Sequence, residues 1–145
     1  MVHWWWTNRP GASLLLATGG RAPCALSLPA TAGVRALAEL DARGVRLGPV
    51  TATRSRFALL VQPYDLAELG ELLHAQDWVP SSLRFHGDGG YVVLPPSSTG
   101  GARVRWEREP EEDAAGVWLP SLRSVLDVLV EASATAPDTG SRLAY

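Results

Sequence analysis

The chain predicts an α+β fold: a single domain with a mixed or largely antiparallel sheet and about three helices. Three observations carry that expectation. Short apolar runs bounded by Gly or Pro recur along the sequence, each too brief for a helix. Longer segments at three places repeat their apolar residues at helical spacing. No internal repeat or linker divides the 145 residues, a length sufficient to bury one core of its own.

Taken in order, residues 1–11 form a tryptophan-rich lead, Trp4-Trp5-Trp6, that ends in the turn signal Asn8-Arg9-Pro10-Gly11. Residues 13–17 and 23–28 read as buried strands flanked by Gly or Pro. Thr31 is expected to cap a helix that runs to Arg43, with Val34, Leu37, Ala38 and Leu40 toward the core and Gly44 as a left-handed C-terminal cap. Residues 49–52 and 57–61 read as strands, the second stopped by Gln62-Pro63. Asp65 begins a helix over residues 66–76, with Glu68 as its capping-box partner and Leu66, Leu69, Leu72 and Leu73 as its apolar stripe. Trp78 and Pro80 end it. The stretch from Arg84 to Pro96 then reads as a hairpin: a strand, a tight turn at Gly87-Asp88-Gly89-Gly90, and a second strand stopped at Pro95-Pro96. A strand over 103–106, an acidic loop over 107–113 and a last helix from Ser121 to about Ala134 follow. That helix carries Leu122, Val125, Leu126, Leu129 and Val130, and residues 136–145 read as a loose tail.

Composition excludes several classes of function. No apolar run approaches the roughly 18 residues a membrane span needs. Met1 to Trp6 lack the form of a signal peptide, so a cytoplasmic protein is expected. All 13 basic residues are arginine, a composition typical of a high-GC bacterial genome, and the net charge is −2. A nucleic-acid binder usually shows a basic surplus, so any such contact here needs a local patch. Cys24, the one cysteine, lies in an apolar run and reads as a buried structural thiol. His3, His74 and His86 are too scattered for a zinc site. Ser97, Ser98 and Ser121 have no base in a recognisable arrangement, and the acidic residues from Glu107 to Asp113 read as a solvated surface. The tryptophan cluster is expected to pack on the core or meet a partner, in preference to stacking bases.

The glycine-rich turn is not a phosphate loop of the usual kind, because a strand follows it where a helix N-terminus is needed. Its setting is more specific. The string RFHGDGGYVVLPPSSTGGARVRW resembles a segment of the bacterial and phage primase-polymerase family, of the archaeo-eukaryotic primase type. That segment typically runs D-hydrophobic-R-G-D-G-G-Y-V-V-x-P-P-S, then G and Y-x-W. Upstream, WWWTNRPGASLLLATGG resembles the family's entry motif, and APCALSLPATAGVRALAEL stands where the family places a hydrophobic-D-x-D strand and a helix. The resemblance covers residues 4–106 and begins without the family's portion ahead of the tryptophans.

It implies a primase-polymerase-like, RRM-like core and, in intact members, two-metal phosphoryl transfer by carboxylate-held divalent ions. Carried over by position, the aspartates of the first strand fall on Ser27 and Pro29. The nucleotide-contacting small-x-His motif falls near Ser55-Arg56-Phe57, with Phe57 or a neighbour at the histidine position. The third aspartate falls on Arg84. None of the three offers the anionic oxygen that magnesium prefers. Asp88 survives but reads as a turn former. A truncated, catalytically degenerate relative is therefore expected, with no catalytic residue, metal or cofactor. Arg84 and His86 alternate onto one strand face, and with Arg56 they are the candidate remnant of an anion site. The expected partner is a protein, with a nucleotide or nucleic acid as ligand of the former active-site face. Two rivals stand beside this: residual metal-dependent nucleotidyl transfer with carboxylates from another chain, and DNA binding through Arg54, Arg56 and Arg84 with steep salt dependence.

Overall fold

The computed structural model describes residues 14–18, 23–76, 78–87, 90–95, 97–99, 102–114 and 116–135. The tryptophan lead, Asp88, Gly89 and the expected loose tail lie outside them. Thirteen elements run in the order β1 (Leu14–Ala17), β2 (Cys24–Pro29), α1 (Ala30–Ala42), β3 (Val50–Ala52), β4 (Arg56–Val61), α2 (Leu66–His74), β5 (Arg84–His86), β6 (Tyr91–Leu94), β7 (Ser97–Thr99), β8 (Ala102–Arg108), β9 (Glu112–Asp113), β10 (Gly116–Val117) and α3 (Leu122–Thr135). Six strands form one sheet in the order β5-β2-β4-β3-β8-β7, and every described pairing is antiparallel. The expected α+β domain with three helices is the one found.

The sheet's two faces have different fates, and strand alternation decides which residue goes where. Cys24, Leu26 and Leu28 of β2 and Phe57, Leu59 and Val61 of β4 point to one side. There they meet Leu37 and Leu40 of α1 and Val125, Leu126 and Leu129 of α3 in the main core. The helices cover this face because each carries an apolar stripe that has no other place to be buried. On the opposite face lie Ala25, Ser27 and Pro29 of β2 with Leu60, Ala58 and Arg56 of β4. A separate two-stranded ribbon, β1 with β6, packs part of this face through Leu16, Val92 and Leu94, which meet Ala25, Ala58 and Trp106.

Several expectations need correction. The segment from Arg84 to Pro95 is not a hairpin: β5 pairs with β2 in the large sheet, while β6 pairs with β1. The turn still closes, Gly90 N–H donating to the Gly87 carbonyl at 3.0 Å. Beyond it the chain leaves the sheet plane, so Val92 and Leu94 can cover the otherwise open face. Thr31 is exposed and does not cap α1; Pro29 holds the N-cap position two residues earlier, and its side chain makes no cap bond. The buried stripe of α1 is accordingly Ala32, Gly33, Ala36, Leu37 and Leu40, and Val34 is 58% exposed. Gly44 does end the helix at φ 73°. In α2 the Asp65 carboxylate accepts from Glu68 N–H at 2.7 Å as expected, but Leu66 is 82% exposed and Leu72 is the buried member of the stripe.

Candidate functional site

Ser27 is the centre of the uncovered part of the sheet. The strand CALSLP is otherwise apolar, and its alternation turns the lone hydroxyl away from the helices. Register then dictates its neighbours. Arg84 of β5 stands directly opposite Ser27, His86 opposite Ala25, and Arg56 of β4 opposite Pro29. Directly opposed residues in an antiparallel pair share a face, and diagonal ones lie within reach of long side chains. All of the positions carried over from the family motifs except Phe57 therefore converge on one face. Phe57 turns into the helix-side core, so of the residues near the small-x-His motif it is Arg56 that reaches the site.

Hydrogen bonds hold the cluster together. Arg56 Nη2 donates to Ser27 Oγ at 3.1 Å and to the backbone carbonyl of Ser82 at 2.8 Å. Ser27 Oγ lies 3.0 Å from His86 Nε2. Ser27 is 7% exposed, and Arg56, Arg84 and His86 are half-buried. Arg54 sits in the exposed turn ahead of β4 and has no part in this network.

The electrostatics are those of crowded cations. Burial, reinforced by the neighbouring charge of Arg84, pushes the Arg56 guanidinium down to about 10, which leaves it protonated at neutral pH. Burial also lowers Arg84. His86 is lowered from its ordinary value by burial first, then by Arg56 and Arg84, so the neutral imidazole is favoured. Two guanidinium groups beside a half-buried imidazole make this face electropositive.

A pair of divalent ions does not fit these residues. Ser27, Pro29, Arg56, Arg84 and His86 offer one hydroxyl, one imidazole nitrogen and two guanidinium groups, and none of the five is anionic. A protein usually fixes magnesium, in near-octahedral geometry, through one or two carboxylates, with waters and substrate phosphates filling the other positions. Among the described residues no three His, Cys, Asp or Glu side chains come together as a metal site.

Two features were not foreseen from the sequence. Ser82 supplies the carbonyl that aims Arg56, and backbone partners of this kind leave no residue-type signal. Around the β5 edge, on the helix side, opens a cleft of about 800 Å³ lined by Pro63, Tyr64, Leu66, Leu69, Phe85 and Gly87. The Tyr64 hydroxyl beside it is buried without a hydrogen-bond partner, and burial raises its pKa. Cys24 is a buried thiol, as expected, its sulfur 3.9 Å from the Tyr64 carbonyl.

No helix of the described chain is long and apolar enough to cross a membrane. Comparison with curated proteins and with solved structures gives no match. Comparison with protein families matches residues 1–139 to Prim-Pol, described as bifunctional DNA primase/polymerase, N-terminal. That span takes in the tryptophan lead, the Ser27 strand, the Gly87 turn and the last helix, and covers nearly the whole chain. The chain thus belongs to the bifunctional DNA primase/polymerase N-terminal family.

Proposed function

We propose that this member of the family is a non-enzymatic binding module whose former active-site face holds a phosphate-bearing ligand. One observation carries the reading: at the sheet position where catalysis would require metal-binding carboxylates, Ser27 faces Arg84, and Arg56 and His86 close around them. Two-metal phosphoryl transfer needs anionic ligands to fix the ions. Guanidinium groups instead bind phosphate oxygens directly and bidentately. The ligand is a nucleotide or a nucleic-acid phosphate, and the module acts in concert with a protein partner. Exposed apolar side chains at Val34 on α1, Leu66 at the start of α2, Trp78 beyond its end and Tyr91 on β6 are available to such a partner.

The test has two arms. Primed template incubated with nucleotides and Mg²⁺ or Mn²⁺ is expected to show no extension. ATP titrated into the wild-type chain is expected to change tryptophan fluorescence, because Trp106 lies on the same sheet face, in one cross-strand row with Thr51, Ala58 and Ser27. Metal-dependent extension by purified protein would replace the binding-module reading with nucleotidyl transfer.

A further inference from the structure

We infer that the cleft beside β5 is a second binding site, for a small arylalkylamine: an aromatic ring carrying a protonated amine on one side and a hydroxyl on the other. It stands apart from the phosphate-binding reading. Phe85, on the floor of the cleft, pairs with Leu26 and so faces the helix side of the sheet. Its neighbours on β5, Arg84 and His86, turn to the Ser27 face instead.

The first support is size and lining. A volume of about 800 Å³ falls within the range of small-molecule sites. Leu69 and Phe85 are half-buried and rest on the main core, and Tyr64 belongs to that core. Pro63, Leu66 and Ala67 make an exposed rim. A scattered exposed leucine needs no explanation. Leu66 differs, because at 82% exposure it stands on the lip of a cleft whose floor is apolar. A flat ring laid into the cleft would take water from Leu66, Leu69 and Phe85 together.

Tyr64 gives the second support. It is 8% exposed and lines the cleft, yet its hydroxyl has no hydrogen-bond partner. Phenylalanine would fill the same space without leaving a buried polar atom unpaired, so packing alone does not account for the hydroxyl. Burial raises its pKa, which keeps the phenol protonated and able both to donate and to accept. Gly87 borders the ring: a Cβ there would lie 3.3 Å from Cε1 and 3.7 Å from Oη. Glycine leaves that volume empty. The hydroxyl is shielded from solvent, and the ligand's own hydroxyl reaches it by parting Gly87 from the ring edge, where no side chain has to be displaced.

Charge gives the third support and selects the sign. Asp65 is the one charged side chain among the described lining residues. One of its oxygens caps α2 by accepting from Glu68 N–H, and a carboxylate has acceptor capacity beyond that single bond. Glu68 and Glu71 follow on the same helix, and among the described residues none of the three enters an ion pair. An ammonium group is drawn to this rim, whereas a carboxylate or phosphate is repelled.

The experiment is a calorimetric titration of the full chain with tyramine and two matched probes. Phenethylamine lacks the ring hydroxyl, and p-hydroxyphenylacetate carries a carboxylate in place of the amine. Tyramine is expected to bind one to one, about tenfold or more tightly than p-hydroxyphenylacetate. Asp65→Asn keeps the helix cap, since asparagine caps as well as aspartate, and should weaken both amines about threefold. Tyr64→Phe should cost tyramine about fivefold, the scale of one neutral hydrogen bond, and leave phenethylamine unchanged. An unchanged far-ultraviolet spectrum establishes that both variants fold. Saturation by none of the three probes at millimolar concentration overturns the inference. Equal affinity for tyramine and p-hydroxyphenylacetate overturns it as well. So does an equal loss for both amines in Tyr64→Phe, which would make the hydroxyl a structural group. None of these outcomes touches the phosphate-binding reading, whose residues lie on the other face of the sheet.

Discussion

The Ser27 hydroxyl does three things through one oxygen: it accepts from Arg56, pairs with His86 and interrupts an apolar strand. Ser27→Ala leaves the Arg56 fork with less to hold it in a half-buried setting, and about 1–2 kcal/mol of stability should go with it. The check is the urea midpoint at fixed slope. His86 titrates against the same background. Its folded-state pKa lies below the ordinary histidine value because burial and two guanidinium groups oppose the imidazolium. In that case the unfolded chain binds its proton first as the pH falls. The stability contribution is therefore complete above the unfolded value of about 6.5 and is lost as pH drops from there through the folded pKa. A series of unfolding midpoints between neutral and mildly acid pH should show the decline, and His86→Asn should flatten it. An equal slope in both proteins would mean that other groups set the acid limit.

At the scale of elements, the closest constraint is where α1 crosses β4. A Cβ placed on Gly33 would come within 2.5–2.8 Å of the Phe57 ring and its own Cβ. The Phe57 Cβ is tied to the backbone of β4 and cannot swing aside, so Gly33→Ala must push the helix off the sheet. Overpacking of this kind costs about 1–3 kcal/mol, and thermal unfolding of the variant should register it even though alanine is the better helix former. Sequence periodicity could not have found this contact, since Gly33 reads simply as a poor helix residue. It did find the helices themselves, the Asp65 cap and five of the six strands of the large sheet, β7 excepted, because each is written in local spacing and local capping chemistry. What it missed depends on tertiary packing. Val34 and Leu66 are apolar residues at plausible helical positions, yet both are exposed because neighbouring elements do not reach them. The two strands around the Gly87 turn look like partners in sequence. They part, β5 laddering against β2 in the large sheet and β6 against β1 in the ribbon. The short strands β7, β9 and β10 carry too few residues for any period to show. The site was legible in part for the same reasons: alternation brings Arg84 and His86 to one face, but the role of Ser82 and the facing of Arg56 over Phe57 required the register.

The whole molecule is layered so that the site ties together strands of very different security. β2 is paired on both sides, rests on α1 and α3 through Leu26 and Leu28, and lies partly under the ribbon through Ala25. β5 has three residues, forms one end of the sheet and is laddered to β2 alone, yet it carries Arg84 and His86. The β9–β10 pair stands apart from the large sheet, two residues to a strand. Without ligand, amide exchange should therefore be slowest in β2 and β4, faster in β5 and fast in β9–β10. A ligand seated across β5, β2 and β4 alters this in a specific way. Any opening that breaks the site must first lose the ligand, so its exchange slows by the factor 1 + [L]/Kd, whereas openings that leave the site intact are unaffected. Fraying of β5 and global unfolding both break the site. ATP bound at the Ser27 face should thus slow β5, β2 and β4 by one common factor while β9–β10 keeps its rate. If β9–β10 slowed as much as β5, the ligand would be bound somewhere other than the Ser27 face.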